Sequence, residues 1–395
     1  MAVLTLTRPA AAGAARTLAP APLLILATAP IALSANSPAL ILPTLATDLG
    51  VGAATVSWLV TAFGLAVAVG APLMGGLARR FGVRPVLYLG GALTLLGTVL
   101  AVLTPWFGLL IAARALQALG GAAMVTSAMN LSGGIPRRMG AITAGFGVVG
   151  ASGPLLGSVI TQHAGWHLVF AVQAVTVLAV PVLARHATAP VGRGAFDATG
   201  AVLLAALVTG LVSLPHLPIA GLAVVAIAVA LLVPHIRRRP EGFVPLALLR
   251  SRAFLGAAGL TLALSTSYFG LLYAVPRILS ARTDWAAGLI GTGQMLALMA
   301  GSGISFVLAA RFVSPVVVAA MGAAAPLLLL APPALAFAAA TIGVAASSTA
   351  QAVLGVRAMR AAPEAIRPAA IGLFNLFFQL GGAFGPTIVV MLIAA

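Results

Sequence analysis

Cysteine is absent from the 395 residues. That excludes disulfides, thiol nucleophiles and thiolate metal sites. Lysine is missing as well, so all 21 basic side chains are arginines. Charge of either sign is scarce, at 7% of residues, where soluble domains carry about a quarter. Carboxylates number five: Asp48, Asp197, Glu241, Asp284 and Glu364. No cluster at metal-ligand spacing and no nucleophile paired with a base is seen, so neither an enzyme nor a cofactor site is expected. What is plentiful is apolar: 62% of residues are hydrophobic, and the mean hydropathy is +1.16. A soluble surface must stay wet, so this composition points to a polytopic membrane protein. The net charge of +16 does not imply nucleic acid. The arginines sit in short loops between apolar runs, not along one face.

Runs long enough to cross a bilayer lie near 22–45, 55–77, 86–104, 106–131, 140–161, 166–185, 199–216, 218–236, 254–279, 286–310, 313–331, 333–356 and 368–393, thirteen in all. Backbone in lipid must pair internally, so an all-α integral membrane fold is expected. With a cytoplasmic N-terminus, eighteen arginines fall inside, among them Arg8, Arg16 and Arg193. Two, Arg277 and Arg282, fall outside, and Arg114 lies within a span. Thirteen spans then place the C-terminus outside a multi-pass protein of the inner (plasma) membrane.

An internal echo supports this layout. Leu77-Ala78-Arg79-Arg80-Phe81 recurs as Leu308-Ala309-Ala310-Arg311-Phe312, and Gly150-Ala151-Ser152-Gly153-Pro154 as Gly382-Ala383-Phe384-Gly385-Pro386, offsets of 231 and 232. Two six-helix halves are expected, as in transporters with internal repeats. The division is an N-terminal bundle at 1–190, an inserted two-helix hairpin and basic loop at 191–240, and a C-terminal bundle at 241–395. The partner of the sixth span would begin near residue 397, so the second bundle is expected to lack its last helix.

The loop Gly75-Gly76-Leu77-Ala78-Arg79-Arg80-Phe81-Gly82-Val83-Arg84-Pro85-Val86-Leu87 resembles the loop between spans 2 and 3 of the major facilitator superfamily. Gly75, Arg80, Gly82 and Arg84 fit its pattern, and Arg79 stands where the family has aspartate. Arg114-Ala115-Leu116-Gln117-Ala118-Leu119-Gly120-Gly121 resembles the family's span-4 motif. Gly150, Gly153, Pro154 and Gly157 resemble the span-5 motif of proton-linked drug exporters. Gly165-Trp166-His167-Leu168-Val169-Phe170 and Ile41-Leu42-Pro43-Thr44-Leu45-Ala46-Thr47-Asp48-Leu49-Gly50 are similar to segments of the fourteen-span multidrug and antibiotic exporters. The resemblance implies two pseudo-symmetric helical bundles, alternating access and efflux of a small organic compound by a monomer. It also implies proton coupling, a gating role for the 75–84 loop, and binding-site electrostatics at Arg114.

The residues qualify that picture. The family's span-1 aspartate falls at Ser34, with Asn36 beside it. All five acids lie at span ends or in loops, and so do His163, His167, His186, His216 and His235, which read as interfacial. Proton antiport needs a titratable group inside the bundle, and none is evident unless Asp48 is buried. A cavity can be sketched from Ser34, Asn36, Arg114, Gln117, Met124, Tyr268, Tyr273, Gln294, Asn375 and Gln379. Apolar walls with few polar groups suit an amphipathic ligand, and Arg114 favours a neutral or anionic one. Ordinary helix–helix hydrogen bonding explains each residue equally well. An uncoupled facilitator and a transport-inactive sensor or assembly protein stay open beside the exporter.

Overall fold

A computed structural model describes residues 18–187, 196–214 and 217–394. Arg8, Arg16, Arg193, His216 and the expected boundary at 190/191 lie outside them. The described chain is helical throughout, without strands. Each apolar run corresponds to one helical element: α1 (Ala21–Leu40), α2 (Ala53–Phe81), α3 (Val83–Leu103), α4 (Phe107–Leu131), α5 (Pro136–Ala151 with Gly153–Ala164), α6 (Trp166–His186), α7 (Ala198–Ser213), α8 (Pro218–Arg238), α9 (Arg252–Arg282), α10 (Ala287–Ala310), α11 (Pro315–Leu330), α12 (Pro333–Arg360) and α13 (Glu364–Val389).

The count of crossings needs correction. Ten of these helices are long and apolar enough to cross a bilayer, and eleven if the two pieces of α5 form one span. The other two elements, α7 and α11, are shorter apolar helices. The 16 residues of α7 rise only about 24 Å, against a hydrocarbon layer of roughly 30 Å. In α11 the α-helix ends at Leu327, one residue after Pro326, and a 3-10 turn follows. Hydropathy counts apolar residues and does not see such interruptions.

Proline and 3-10 winding shape two elements near α1. At Ser152 the ladder of α5 breaks before Gly153-Pro154, and the pieces diverge by 46°. Proline has no N–H to continue the ladder, which accounts for the bend. The first fourteen residues of α6 wind as a 3-10 helix. Three residues per turn place Phe170, Gln173, Thr176 and Ala179 in one straight row, and all four are buried.

The packing repeats itself. In the first part α1 packs on α5, α2 on α4, and α3 on α4; eight helices later, α9 packs on α13, α10 on α12, and α11 on α12. Two main contacts join the parts, α2 with α13 and α5 with α10. The repeat that maps α2 onto α10 and α5 onto α13 exchanges these two contacts, as a pseudo-two-fold axis requires. The hairpin α7–α8 packs beside the seam, on α2 and less extensively on α13.

Glycines bring the backbones together at the seam. A Cβ on Gly75 would lie 2.7 Å from the Pro368 carbonyl oxygen and 2.9 Å from Gly372 Cα. A Cβ on Gly140 would lie 2.6 Å from that of Ala309. Both approaches occur at the end of the molecule that bears Arg79 and Arg80, where Arg360 also donates to the Gly134 carbonyl at 3.2 Å. At the opposite end of α10, Leu289 is exposed, and nothing lies within 4 Å of a Cβ on Gly288 or Gly291.

Candidate functional site

Arg114, on α4, has no solvent exposure. Its Nη1 donates to Ser34 Oγ at 3.0 Å and to Gln117 Oε1 at 2.9 Å, and its Nη2 donates to the Ser34 carbonyl at 3.1 Å. The guanidinium carbon lies 4.2 Å from the ring centroid of Phe63 and 5.0 Å from that of Phe170. Gln117 Nε2 donates to Thr98 Oγ1 at 2.9 Å and to the Phe170 carbonyl at 2.8 Å. Gln173 Nε2 donates to the Gln117 carbonyl at 2.6 Å. The guanidinium thus ties together α1, α2, α4 and α6, and Gln117 adds α3.

None of these partners is a carboxylate. Neutral oxygens at Nη1 and Nη2 and two ring faces offset the charge, a desolvated cation–π contact contributing about 2 kcal/mol, while Nε is buried without a partner. Ser34, where the family pattern places its acid, is the residue that Arg114 grips. Arg114 faces no open cavity in this conformation. It is buried among the N-terminal helices.

The other expected cavity residues separate. Asn36 Nδ2 donates to the Gly150 carbonyl at 2.9 Å, joining α1 to α5. Met124 is fully buried, its sulfur against Gly90 in the α3–α4 seam. Gln294 donates to the Leu272 carbonyl at 2.8 Å, an ordinary pairing of α10 with α9. Tyr268 is half-buried beside Phe269, Tyr273 is 47% exposed, and Gln379 is half-buried. Asn375 reaches across the seam and donates to Met129 Sδ at 3.0 Å, while its Oδ1 is buried without a partner. Thr126, Ser127, Ser347 and Thr349 also bury unpartnered hydroxyls on α4 and α12. The rule that selected polar residues within spans would have found these four and Gln173. Phe63 carries no such signal, because phenylalanine in a span is unremarked, and Phe170 is marked only by the resemblance of the Gly165–Phe170 stretch.

Asp48 is exposed and accepts from Trp166 Nε1 at 3.0 Å, so it is not the buried acid that coupling would need. His163 is exposed, and His167 stacks on Trp166 with centroids 3.6 Å apart. His235 departs from the interfacial expectation. Its Nε2 lies 2.9 Å from Asp197 Oδ1, and Asp197 is only 7% exposed. Burial alone would raise that carboxyl. The N–H groups of Phe243 at 2.9 Å and Gly200 at 3.0 Å, together with His235, hold it below the ordinary carboxylate range.

In the 75–84 loop, Gly82 turns α2 into α3 at φ +91°, a left-handed geometry suited to glycine. Arg79 donates to the Gly242 and Glu241 carbonyls, both at 2.7 Å. Arg80 lies over the ring of its neighbour Phe81, and Arg84 is exposed in the first turn of α3. Gly150, Gly153 and Gly157 face α1. A Cβ would lie 2.9 Å from Ala32 Cβ at the first and 2.9 Å from the Leu33 carbonyl at the second, and would strike the Ser37 carbonyl at the third.

The family profile described as Major Facilitator Superfamily matches residues 23–386. MdtD of Escherichia fergusonii, whose name assigns it provisionally to multidrug resistance, is 32% identical over 239 residues, covering 55% of this chain and 50% of that protein. MdtD of Escherichia coli K12 (DH10B) shows the same identity and coverage. The matched region thus spans about half the length of these curated relatives. Among solved structures, the human organic anion transporter MFSD10 (TETRAN) superposes with a TM-score of 0.66 at 16% identity, covering 93% of this chain and 92% of that one. That likeness concerns the fold.

Proposed function

The chain belongs to the major facilitator superfamily, and from that premise we propose that it exports small organic compounds by alternating access between α1–α6 and α9–α13. The observation that carries the proposal is the seam. Two symmetry-exchanged helix pairs close one end through glycine contacts, while the start of α10 is exposed at the other. The excess of arginine at the closed end supports a cytoplasmic location for it. The conformation is then outward-facing in the inner membrane. The provisional name of the MdtD relatives supports organic compounds as cargo. The caged Arg114 charge, with no acid in its shell, favours neutral or anionic ones.

A second reading has its own observation. Ser34 replaces the acid beside Arg114, and Asp48 is exposed. An uncoupled facilitator of the same fold follows from these. Efflux of a dye and antibiotic panel from expressing cells, with and without a protonophore, separates the two. Protonophore-insensitive equilibration supports the facilitator, and protonophore-sensitive export supports the antiporter. No movement of any compound by correctly inserted protein sinks both.

A further inference from the structure

We propose that the inserted hairpin, α7–α8, is fastened to α2 and travels with the N-terminal helices during transport, with Arg79 as the positioning residue of the joint. This rests on the alternating-access reading above.

Asp197 caps the start of α7 by accepting from the Gly200 N–H, reaches the end of α8 through His235, and takes the Phe243 N–H of the following linker. Arg239 stands 3.9 Å from the same carboxylate. One buried side chain therefore binds both ends of the hairpin to the linker. That linker is gripped in turn from α2. The guanidinium of Arg79 spans two successive carbonyls, Glu241 and Gly242, a geometry its planar fork fits. Nearly one turn earlier on α2, Gly76 meets the Phe243 ring so closely that any Cβ there would collide with it. The same ring meets Phe196 edge-on at 5.9 Å. The family pattern has an aspartate at position 79, and a carboxylate cannot donate to carbonyls. The joint is thus a property of the arginine that this chain carries there.

The hairpin's apolar face does not decide the matter. Leu204, Val208 and Leu232 share one cluster with Ala68 of α2 and with Leu373 and Phe374 of α13. Apolar helix faces slide past one another in shear motions. The fork of hydrogen bonds at Arg79 and the capped carboxylate of Asp197 are directional and resist sliding. They attach the hairpin to α2.

A chain without cysteine accepts spin labels on an otherwise native background. Leu103, Ile219 and Leu330 are 74%, 86% and 82% exposed, and they sit at the ends of α3, α8 and α11 remote from Arg79. Pairwise distances would be measured by double electron–electron resonance on the full chain in lipid nanodiscs, with and without Gly75→Ala and Gly140→Ala, which clash across the seam. The expected result is a shift in Leu103–Leu330 and Ile219–Leu330, with Leu103–Ile219 unchanged. Ile219 holding its distance to Leu330 while shifting from Leu103 overturns the proposal. An unshifted Leu103–Leu330 pair overturns the alternating-access reading, and the proposal with it. Arg79→Ala should broaden the Leu103–Ile219 distribution without moving Leu103–Leu330. An unbroadened distribution removes Arg79 from the joint.

Discussion

Gly75→Ala tests whether the contact of α2 with α13 is the closed gate. The new methyl would lie 2.7 Å from the Pro368 carbonyl oxygen and 2.9 Å from Gly372 Cα, where ordinary contact begins at 3.4 Å. The shortfalls, 3.4 minus 2.7 and 3.4 minus 2.9, are 0.7 and 0.5 Å. Both obstructing atoms are backbone at the start of α13, so no side chain can rotate away. Overpacking of this kind costs about 1–3 kcal/mol. The penalty falls only on the state in which the two helices touch. It should therefore shift the balance toward opening of that end by roughly 5- to 150-fold. Spin labels at Phe81 and Arg311, exposed at the closed ends of α2 and α10, read the change as a longer distance. Gly64→Ala is the control, since it lies on the same helix with nothing within 4 Å of its Cβ. Identical distance distributions for wild type, Gly64→Ala and Gly75→Ala would refute the gate.

Three further outcomes are expected. Arg114→Ala abolishes transport in the dye panel while membrane insertion persists, and Arg114→Lys does not restore it, because a compact ammonium lacks the planar two-nitrogen fork that holds the Ser34 hydroxyl and carbonyl between the Phe63 and Phe170 rings; unchanged transport in the alanine variant removes Arg114 from the mechanism. Asp197→Ala loses a helix cap of about 1 kcal/mol and charge-assisted hydrogen bonds of about 1.5–3 kcal/mol each, read as a lower melting temperature in detergent. The Asp197 carboxyl is held below its unfolded value, so its stabilisation is complete above about pH 4 and fades as pH falls through the folded value. Wild type should therefore lose thermal stability on acidification in that window more steeply than Asp197→Asn, and parallel curves would contradict this assignment.

Much of the fold is written in the spacing of the apolar runs, because a bilayer imposes a length on each helix. Each run has its helical counterpart, and the echo of Leu77–Phe81 in Leu308–Phe312 foreshadows the repeated packing. Hydropathy fails at α7 and α11, where length and a late proline matter more than composition. The site is harder to read. Residue type marks Ser34, Arg114 and Gln117, and they meet. It does not say which way a helix is rotated, so it groups Met124 and Gln294 with them although each is spent on a helix seam. Asp197, His235, Phe243 and Arg79 are spread over more than 160 positions, and only folding brings them together.

The two departures from the family pattern share one physical direction. At position 34, where the family pattern places an acid, stands a hydroxyl, and Arg114 meets the Ser34 carbonyl and two aromatic faces. At position 79 an acid is replaced by a base, which finds carbonyls in the linker. Neither position carries a carboxylate. The five acids that remain lie at helix ends or between helices. On the facilitator reading the cycle therefore runs down the gradient of its cargo. Adding the acid back tests this directly. In Ser34→Asp, a charge pair about 4 Å apart gains about 4 kcal/mol at an effective dielectric of 20. That is comparable to the several kcal/mol needed to desolvate the carboxylate, so the variant should still fold. If coupling was lost with the acid, efflux by Ser34→Asp gains protonophore sensitivity that the wild type lacks. If the wild type is itself protonophore-sensitive, a proton carrier lies elsewhere in the chain and the facilitator reading fails; if both are insensitive, an acid at position 34 is not what coupling lacks.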